Sequence, residues 1–363
     1  MVELQKVEVA LADRSYSIEI GEGALSRLAP SVIDSLQATH VLVVADAAVH
    51  VWSRQVVTAC ESMGLRVQFL EVPSGETSKS VEMLHTLWQQ FQAAGADRAT
   101  VVIAVGGGVV GDLAGFAAAT YARGLRFVQV PTTLLAMVDS SVGGKTGINL
   151  ATAKNMVGSF WQPMGVVIEL KTLETLPQQE YISGLAEVVK YGVIMDAEFF
   201  AFLESQVPNI LDRDSRVLTS IVARCCELKA KVVAADERET TGLRAILNYG
   251  HTFGHAFENL LGYGEILHGE AVSIGMDCAA RLAAKLGRVT DEMVQRQRKL
   301  LVALGLPIDM PKLAVEDVVV TMQRDKKVAH GKLRFVLPDR LGHVSLVGDV
   351  DPNAVLEILE NPI

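Results

Sequence analysis

Cysteine is scarce in this 363-residue chain, which contains only four. None of them belongs to a CxxC pair, and the adjacent Cys225 and Cys226 are poorly placed for a structural disulfide. Proteins of oxidising compartments often carry paired cysteines, whereas cytosolic proteins keep their thiols reduced. The sequence therefore predicts reduced thiols and a cytoplasmic location.

An excess of positive charge is also missing, because 33 lysines and arginines stand against 42 aspartates and glutamates, giving a formal net charge of −9. This balance argues against nucleic acid and anionic membranes as main partners, but it does not exclude a small anionic substrate. The N-terminal residues lack the apolar segment of a secretory signal. Apolar runs such as residues 101–111 are short and interrupted by glycine, so no transmembrane helix is expected.

The chain is longer than a single hydrophobic core usually supports, so two domains are expected. In the first half, strand-like runs alternate with helical patterns such as residues 78–94, which predicts a Rossmann-like α/β domain with a mostly parallel sheet. After Pro177 the composition is typical of helices. We place the boundary near residue 178, with an α/β domain over residues 1–178 and a mainly α-helical domain over residues 179–363. The predicted strands include Val41–Ala45, Thr100–Val105, Phe127–Val130 and Val166–Ile168. The runs Leu333–Leu337 and Val344–Val347 are expected to be either strands or extended segments.

Glycines follow one of these strands, and Gly106, Gly108 and Gly111 form a GxGxxG pattern. Such glycines allow a tight turn and a close approach of the backbone to a pyrophosphate at a helix N-terminus. The acidic residue that usually follows about 20 positions later is missing. Asp46, at the end of an earlier predicted strand, could bind a ribose instead. The pattern predicts a dinucleotide site of a variant kind, and the alternative is a glycine turn that serves only packing.

A second glycine-rich segment lacks a residue that a P-loop requires. Residues 141–146 resemble the end of that motif, but the position of its first glycine is occupied by Asp139, so a Walker A site is excluded. What remains is a glycine-rich loop with Lys145, followed by Lys154 and Asn155. Backbone donors and ammonium groups suit a phosphate or carboxylate. Solvated lysines are the alternative.

Three of the eight histidines, His251, His255 and His268, lie within eighteen residues. Imidazole is the commonest metal ligand in proteins and titrates near neutral pH, so the cluster indicates a metal site or proton transfer. His251 and His255 are four positions apart and share one face of a predicted helix. Glu258 and Glu270 lie nearby in the sequence. Histidines of the core or the surface are the alternative.

Glu187 and Lys190 lie three positions apart in a predicted helix that is otherwise apolar. One interpretation is an ordinary exposed ion pair. The other is a carboxylate that enters a buried face and therefore needs a partner such as a metal ion. Arg244 and Asn248 precede the histidines at helical spacing, and residues 324–327 form a charged run that by default is a solvated loop.

Several motifs together resemble the 3-dehydroquinate synthase family of the sugar phosphate cyclase superfamily. They follow the order of that family over nearly the whole chain, and the most specific of them spans residues 132–145. The matching segments are residues 73–79, 106–112, 131–149, 154–155, 184–190, 248–255 and 268–270. The resemblance implies a nucleotide-binding α/β domain followed by an α-helical domain.

The resemblance also implies roles for individual residues. It implies metal ligands at Glu187, His251 and His268, with zinc or cobalt as the metal, and it makes His255 a proton-transfer residue instead of a ligand. NAD contacts are implied at Asp46, Glu76, Lys79, Gly107, Gly108, Asp112, Thr132, Thr133, Lys145, Lys154, Thr172, Leu173, Glu174 and Thr175. Substrate contacts are implied at Arg123, Asp139, Lys145, Lys154, Asn155, Lys190, Lys229, Arg244, Asn248, Lys326 and Lys327. Arg123 is expected to reach the site of a neighbouring subunit in a homodimer.

The activity that the resemblance implies is conversion of 3-deoxy-D-arabino-heptulosonate 7-phosphate to 3-dehydroquinate and phosphate, a step of the shikimate pathway. Other sugar phosphate cyclases are one alternative, because they use the same chemistry on sedoheptulose 7-phosphate or glucose 6-phosphate. A metal-dependent alcohol or glycerol dehydrogenase is another, and it would accumulate NADH. A non-catalytic binding module is the third, and it would be expected to have an incomplete set of metal ligands.

Overall fold

The computed structural model describes residues 4–150, 153–262, 264–325 and 333–360. The chain packs into two compact units, one formed by Met1–Pro177 with Ser215–Arg238 and the other by Gln178–Asp214 with Glu239–Ile363. A single boundary near residue 178 would assign residues 215–238 to the second domain, whereas their contacts group them with the first unit. None of the helices described here is long and apolar enough to cross a membrane.

The first unit contains a mostly parallel sheet with helices on both faces. Its strands are β1 (Gln5–Val9), β2 (Tyr16–Gly21), β3 (His40–Asp46), β4 (Arg66–Val72), β5 (Val101–Gly106), β6 (Arg126–Pro131), β7 (Lys145–Leu150), β8 (Ala153–Phe160) and β9 (Gly165–Glu169). Its helices are α1 (Leu25–Arg27), α2 (His50–Ser62), α3 (Val81–Ala93), α4 (Gly108–Thr120) and α7 (Ser215–Ala235). The helix α7 follows residues 178–214 of the second unit in the sequence.

Seven of these strands form one sheet in the order β1-β2-β9-β6-β5-β3-β4. Only the β1–β2 pairing in this sheet is antiparallel. Successive side chains of a strand point to opposite faces, so β3 contributes Leu42 and Val44 to one core and Val41 and Val43 to the other. Burial on both faces explains why this strand reads as a continuous apolar run. The strands β7 and β8 form a separate antiparallel hairpin.

The second unit is mainly helical, as the sequence predicted. Its helices are α5 (Gln178–Met195), α6 (Ala197–Leu211), α8 (His251–Leu261), α9 (His268–Lys285), α10 (Asp291–Ala303), α11 (Val315–Asp325) and α12 (Pro352–Glu360), and its strands are β10 (Phe335–Arg340) and β11 (His343–Val347). The central helix α9 is buried over most of its length and packs against α5, α8 and α10. These contacts position the beginnings of α8 and α9.

The predicted strands and the helix over residues 78–94 are confirmed, with shifts of a few residues at their ends. The strands β1, β2 and β4 were not predicted. In β4, residues Arg66, Gln68 and Glu71 interrupt the apolar pattern because this strand is at the edge of the sheet and is only partly buried. In the predicted glycine-rich loop over residues 141–146, residues 141–144 lie outside helices and strands, whereas Lys145 and Thr146 begin β7.

Candidate functional site

The carboxyl ends of the parallel strands carry residues that were predicted to bind a dinucleotide. Asp46 ends β3, Gly106 ends β5, and Thr132 follows β6 directly. β3 and β5 are neighbours, and the chain continues from them in opposite directions, to β4 on one side and to β6 on the other. In open α/β sheets, ligands bind outside such a switch point. The glycine turn and Asp46 therefore lie where this fold class binds nucleotides.

The turn between β5 and α4 has little space for side chains. A Cβ atom on Gly107 would lie 3.1 Å from Thr133 Cγ2, and a Cβ atom on Gly108 would lie 3.0 Å from Ser140 Oγ. α4 begins at Gly108, within the turn. The N-terminus of a helix attracts anions through its unpaired N–H groups and its dipole. The local structure therefore fits a pyrophosphate against the start of α4.

Lys79 joins residues that are far apart in the sequence. Its Nζ atom lies 2.8 Å from Asp112 Oδ2 and also donates to Asn155 Oδ1, while its side chain is only 5% exposed. Asn149 connects to the same cluster, because it donates to Glu76 Oε1 at 2.7 Å and accepts from the Asn155 N–H at 2.9 Å. Burial raises the pKa of the Asp112 carboxyl above its ordinary value, although the Lys79 ammonium opposes this shift. The cluster fixes Glu76, Lys79 and Asp112, all three predicted NAD contacts.

Asp139 and Lys229 form a second polar pair in the first unit. Asp139 lies in a π-helical turn over Ala136–Ser140, and Lys229 lies on α7. Lys229 Nζ lies 2.8 Å from Asp139 Oδ1 and 2.6 Å from the Asp139 carbonyl oxygen. A buried ammonium group needs such partners. The structure thus brings together two predicted substrate contacts that are 90 positions apart.

Other predicted residues of the first unit lie in turns or on strands. Thr132 is 2% exposed, and its hydroxyl has no hydrogen-bond partner. The Thr172–Thr175 stretch forms a 3-10 turn and its end, where Thr175 Oγ1 accepts a 2.9 Å hydrogen bond from Trp52 Nε1. Thr172 Oγ1 donates to the carbonyl of Glu169, the last residue of β9. This stretch therefore also follows the carboxyl end of a parallel strand.

The predicted cations of the first unit differ in exposure. Lys145 begins β7 and is exposed, whereas Lys154 on β8 is half-buried. Asn155, next to Lys154, has a left-handed φ of +55°. Arg123 follows α4, is exposed, and has a φ of +66°. An arginine in this conformation is uncommon and is maintained by the surrounding turn.

Glu187, His251 and His268 meet in the second unit. Glu187 is on α5, His251 is the first residue of α8, and His268 is the first residue of α9. Their candidate ligand atoms all lie within 4.8 Å of one another. Glycine permits part of this geometry, because a Cβ atom on Gly269 would lie 1.8 Å from the carbonyl oxygen of Ser183 on α5. The close contact brings the start of α9 to the helix that carries Glu187.

Glu187 is only 1% exposed, and neither of its carboxylate oxygens has a hydrogen bond of normal geometry. The Nζ atom of Lys190 lies close to Oε2, but this single ammonium leaves Oε1 facing the imidazoles. A buried carboxylate needs compensating charge. One carboxylate and two imidazoles form a donor set that suits zinc or cobalt, so the residues present fit a divalent metal.

The orientation of the His251 ring strengthens this fit. Its Nδ1 lies 3.0 Å from the Tyr249 carbonyl oxygen, and because a carbonyl only accepts, Nδ1 must carry the proton. Burial, followed by the charge of Lys190, holds the pKa of His251 well below its usual range, so the ring is neutral. Its unprotonated Nε2 then faces Glu187 Oε1 at 3.4 Å. Two acceptors face each other here, as expected where a cation binds both.

His255 lies one turn after His251, and its ring is 5.4 Å from the His251 ring and 6.2 Å from the His268 ring, centroid to centroid. It borders the triad without belonging to it. Lys190 is 1% exposed and lies over the Tyr191 ring at 4.9 Å. The structure therefore places the buried ammonium group of Lys190 and a third imidazole, that of His255, beside the candidate metal ligands.

Arg244 and Asn248 lie in the 3-10 segment Leu243–Asn248 that precedes α8. Arg244 is 4% exposed, with Nε 3.3 Å from Glu239 Oε1, whereas Asn248 is exposed. The predicted substrate contacts Lys326 and Lys327 lie outside the described residues.

Two contributors were missed by the sequence analysis. Asn149 lies in a matching motif, but only its contacts to Glu76 and Asn155 reveal that it organises the Lys79 cluster. Tyr249 acts on His251 through its backbone carbonyl, which no residue pattern could indicate. Its hydroxyl is anchored by Gln297 Oε1 at 2.8 Å.

Comparison with known proteins agrees with this geometry. The model of the N-terminal region of 3-dehydroquinate synthase matches residues 69–183, and the model of its C-terminal region matches residues 184–328. A 3-dehydroquinate synthase from Rhodopirellula baltica is 53% identical over 360 residues, covering 97% of this chain and 96% of that protein. Another, from Desulforamulus reducens, is 47% identical, covering 97% and 99%.

Among solved structures, a 2-deoxy-scyllo-inosose synthase in complex with carbaglucose-6-phosphate, NAD⁺ and Co²⁺ superimposes with a TM-score of 0.89. It is 27% identical, and the match covers 98% of this chain and 99% of that one. Fold and site thus define a member of the sugar phosphate cyclase class. Within that class, the chain belongs to the 3-dehydroquinate synthase family.

Proposed function

We propose that this chain is an NAD- and metal-dependent lyase that converts 3-deoxy-D-arabino-heptulosonate 7-phosphate to 3-dehydroquinate and phosphate in the shikimate pathway and so in aromatic amino acid biosynthesis. The observation that carries the proposal is the buried Glu187–His251–His268 triad in a chain that is 53% identical to a 3-dehydroquinate synthase over nearly its full length. The proposed sequence of steps is oxidation at C5, elimination of phosphate, reduction at C5 and closure of the ring by an aldol reaction.

When bound, NAD⁺ takes up and returns the hydride at C5, and a divalent metal acts as a Lewis acid toward the C5 oxygen. Glu187, His251 and His268 would hold the metal, and both zinc and cobalt suit these ligands. The turn at Gly107 and Gly108 would accept the pyrophosphate of NAD. Further cofactor contacts are proposed for Asp46, Glu76, Lys79, Asp112, Thr132, Thr133, Lys145, Lys154 and the stretch Thr172–Thr175.

His255 would move the proton of the C5 hydroxyl, with help from Asn248. Imidazole suits this task because it exchanges protons near neutral pH. His255 lies beside His251 and His268 without belonging to the triad, which supports a role in proton transfer next to the metal ligands. Lys190 would contact a substrate oxygen while it balances the charge of Glu187.

The remaining polar residues would bind the anionic groups and hydroxyls of the substrate. Lys145, Asn155, Arg244 and one lysine of the Lys326–Lys327 pair would hold the phosphate. Lys229 and Asp139 would orient the carboxylate and hydroxyls, and their mutual hydrogen bonds at 2.6 and 2.8 Å would fix both groups before the substrate arrives. Identities of 53% to a 3-dehydroquinate synthase and 27% to a 2-deoxy-scyllo-inosose synthase support this substrate over other sugar phosphates.

The decisive experiment measures phosphate release from 3-deoxy-D-arabino-heptulosonate 7-phosphate with trace NAD, before and after treatment with a chelator. We expect metal-dependent release, formation of dehydroquinate and no net NADH. Release of phosphate only from sedoheptulose 7-phosphate would support the proposed reaction type but contradict the proposed substrate and its place in the shikimate pathway. Net accumulation of NADH would identify a dehydrogenase instead.

We also propose that the chain works in the cytoplasm as a homodimer in which Arg123 serves the partner's site. The exposed position of Arg123 and its constrained backbone support a role outside its own unit's core. The four cysteines, all among the described residues, are buried and form no disulfide, which fits a reducing compartment.

Mixing two inactive variants tests the role of Arg123. In a heterodimer of Arg123→Ala and His268→Ala subunits, one site has an intact His268 and receives an intact Arg123 from its partner. Random exchange of subunits should therefore restore about one quarter of wild-type activity. No recovery after verified exchange, or a monomeric active enzyme, would contradict the proposal.

A further inference from the structure

The two imidazoles of the candidate metal triad are not equally constrained. The side chain of His251 is 12% exposed and its Nδ1 is bonded to a backbone carbonyl. The side chain of His268 is 33% exposed, and it belongs to the first residue of a helix. Second partners of this kind commonly orient a metal-binding imidazole so that its other nitrogen faces the metal.

Glu258 provides such a partner. It lies seven residues after His251 on α8, which is close to two helical turns, so His251, His255 and Glu258 share one face. Glu258 Oε2 lies 3.5 Å from His268 Nδ1, while His268 Nε2 lies 3.8 Å from Glu187 Oε1. The His268 ring therefore has one carboxylate at each nitrogen. The side chain of Glu258 is only 12% exposed, so its charge is largely withdrawn from water.

We propose that Glu258 is a positioning residue for the metal centre, an inference that rests on the proposed function. Its carboxylate accepts from His268 Nδ1–H and so fixes the tautomer in which Nε2 is unprotonated and faces Glu187. The negative charge also makes the imidazole a more basic ligand. Glu258 would thus do for His268 what the Tyr249 carbonyl does for His251. It contacts neither substrate nor cofactor in this role.

The test measures metal binding in competition with a chelator, and the visible absorption of the Co²⁺-loaded protein. For Glu258→Ala we expect affinity for Co²⁺ and Zn²⁺ to fall about 10- to 100-fold, the usual cost of losing such a partner. The absorption band of Co²⁺ should also shift because the geometry of its ligands changes. Glu258→Gln, which keeps the shape of the side chain, should lose less affinity than Glu258→Ala, and Glu258→Asp should recover part of it.

Glu265→Ala is the matched control, because it removes one negative charge from an exposed position near His268 in the sequence and should leave both measurements unchanged. NAD affinity should not change in any variant. Wild-type metal affinity and an unchanged spectrum in folded Glu258→Ala and Glu258→Gln would overturn the inference. Failure of the wild-type protein itself to bind either metal would instead overturn the proposed metal site.

Discussion

At the residue scale, the cysteines show how strongly burial alters a side chain. Burial raises the pKa of the Cys60 thiol to about 11 and that of Cys226 and Cys278 to about 12. Cys226 lies only one turn from Lys229, whose charge opposes this shift, yet burial has the larger effect. Since the thiolate is the reactive species, none of these three groups is poised for chemistry at neutral pH.

We therefore expect no cysteine of the native protein to react rapidly with a disulfide reagent at neutral pH, while all four react after unfolding in urea. The raised pKa values keep the thiols of Cys60, Cys226 and Cys278 protonated, and burial excludes the reagent from all four cysteines. Counting released chromophore over time gives the measurement. A rapidly reacting equivalent in the native protein would contradict the burial of at least one of these residues.

A variant of one ligand tests the metal site at the same scale. Loss of a residue that only orients a metal ligand typically lowers activity about 10- to 100-fold. His268→Ala should lower activity by more than this, because it removes a ligand itself. NAD binding should remain, since the predicted NAD contacts belong to the first unit. His343→Ala, at an exposed histidine, is the control. Loss of NAD binding in folded His268→Ala would count against the assignment.

Sequence spacing indicated that the histidines carry chemistry, but it could not decide which of them bind a metal. The four-residue spacing suggested His251 with His255, whereas the triad combines His251 with Glu187 and His268. Only the packing of α5 against α9 brings Glu187 to the histidines. Likewise, the contacts of Lys79 with Asp112 and Asn155 join positions 33 and 76 residues apart. The family resemblance predicted the members of these groups, and the fold supplies their contacts.

At the element scale, glycines have different structural roles at different positions. The glycine-rich segment over residues 141–146 was predicted as a loop, and Gly143 and Gly144 lie outside any strand with φ values of +101° and +67°. In the hairpin that follows, a Cβ atom on Gly147 would lie 2.6 Å from the carbonyl oxygen of Val157, and one on Gly158 would lie 2.2 Å from that of Thr146. Here glycine allows two strands to approach closely. Composition cannot distinguish close approach from flexibility, because both favour the absence of a side chain.

The contact between α8 and α9 gives a test of close approach. A Cβ atom on Gly275 would lie 2.1 Å from the carbonyl oxygen of Gly250, just before His251. Gly275→Ala should lower the free energy of unfolding by about 1–3 kcal/mol, since overpacking outweighs the better helix propensity of alanine. Urea unfolding measures this effect. Gly348→Ala, with nothing within 4 Å of its Cβ, should change stability by less than about 0.5 kcal/mol.

At the scale of the whole molecule, the two units are interleaved along the chain. Residues 215–238 return to the first unit after residues 178–214 have entered the second. The helix α7 in this segment buries Leu218, Ile221 and Val222 and packs against β1 and β2. A change of composition near residue 178 could not reveal this return, because the amino-acid composition of α7 is as typical of a helix as that of the segments before and after it.

A fragment of residues 1–177 should therefore fail to unfold cooperatively and should aggregate, because the surface that α7 covers would be exposed. Joining residues 215–238 to it through a flexible linker should restore a cooperative transition in urea. A monomeric, cooperatively unfolding fragment 1–177 would show that α7 is dispensable for this unit.

The interleaving also determines the order in which the protein can fold as it is made. The ribosome completes the sheet of the first unit long before it reaches Arg238, the last residue of that unit. During this interval α5 and α6 have emerged without the remainder of their own unit, which starts at Glu239. Nascent chains therefore carry two unfinished units at once, a period in which a chaperone would find apolar surface on both.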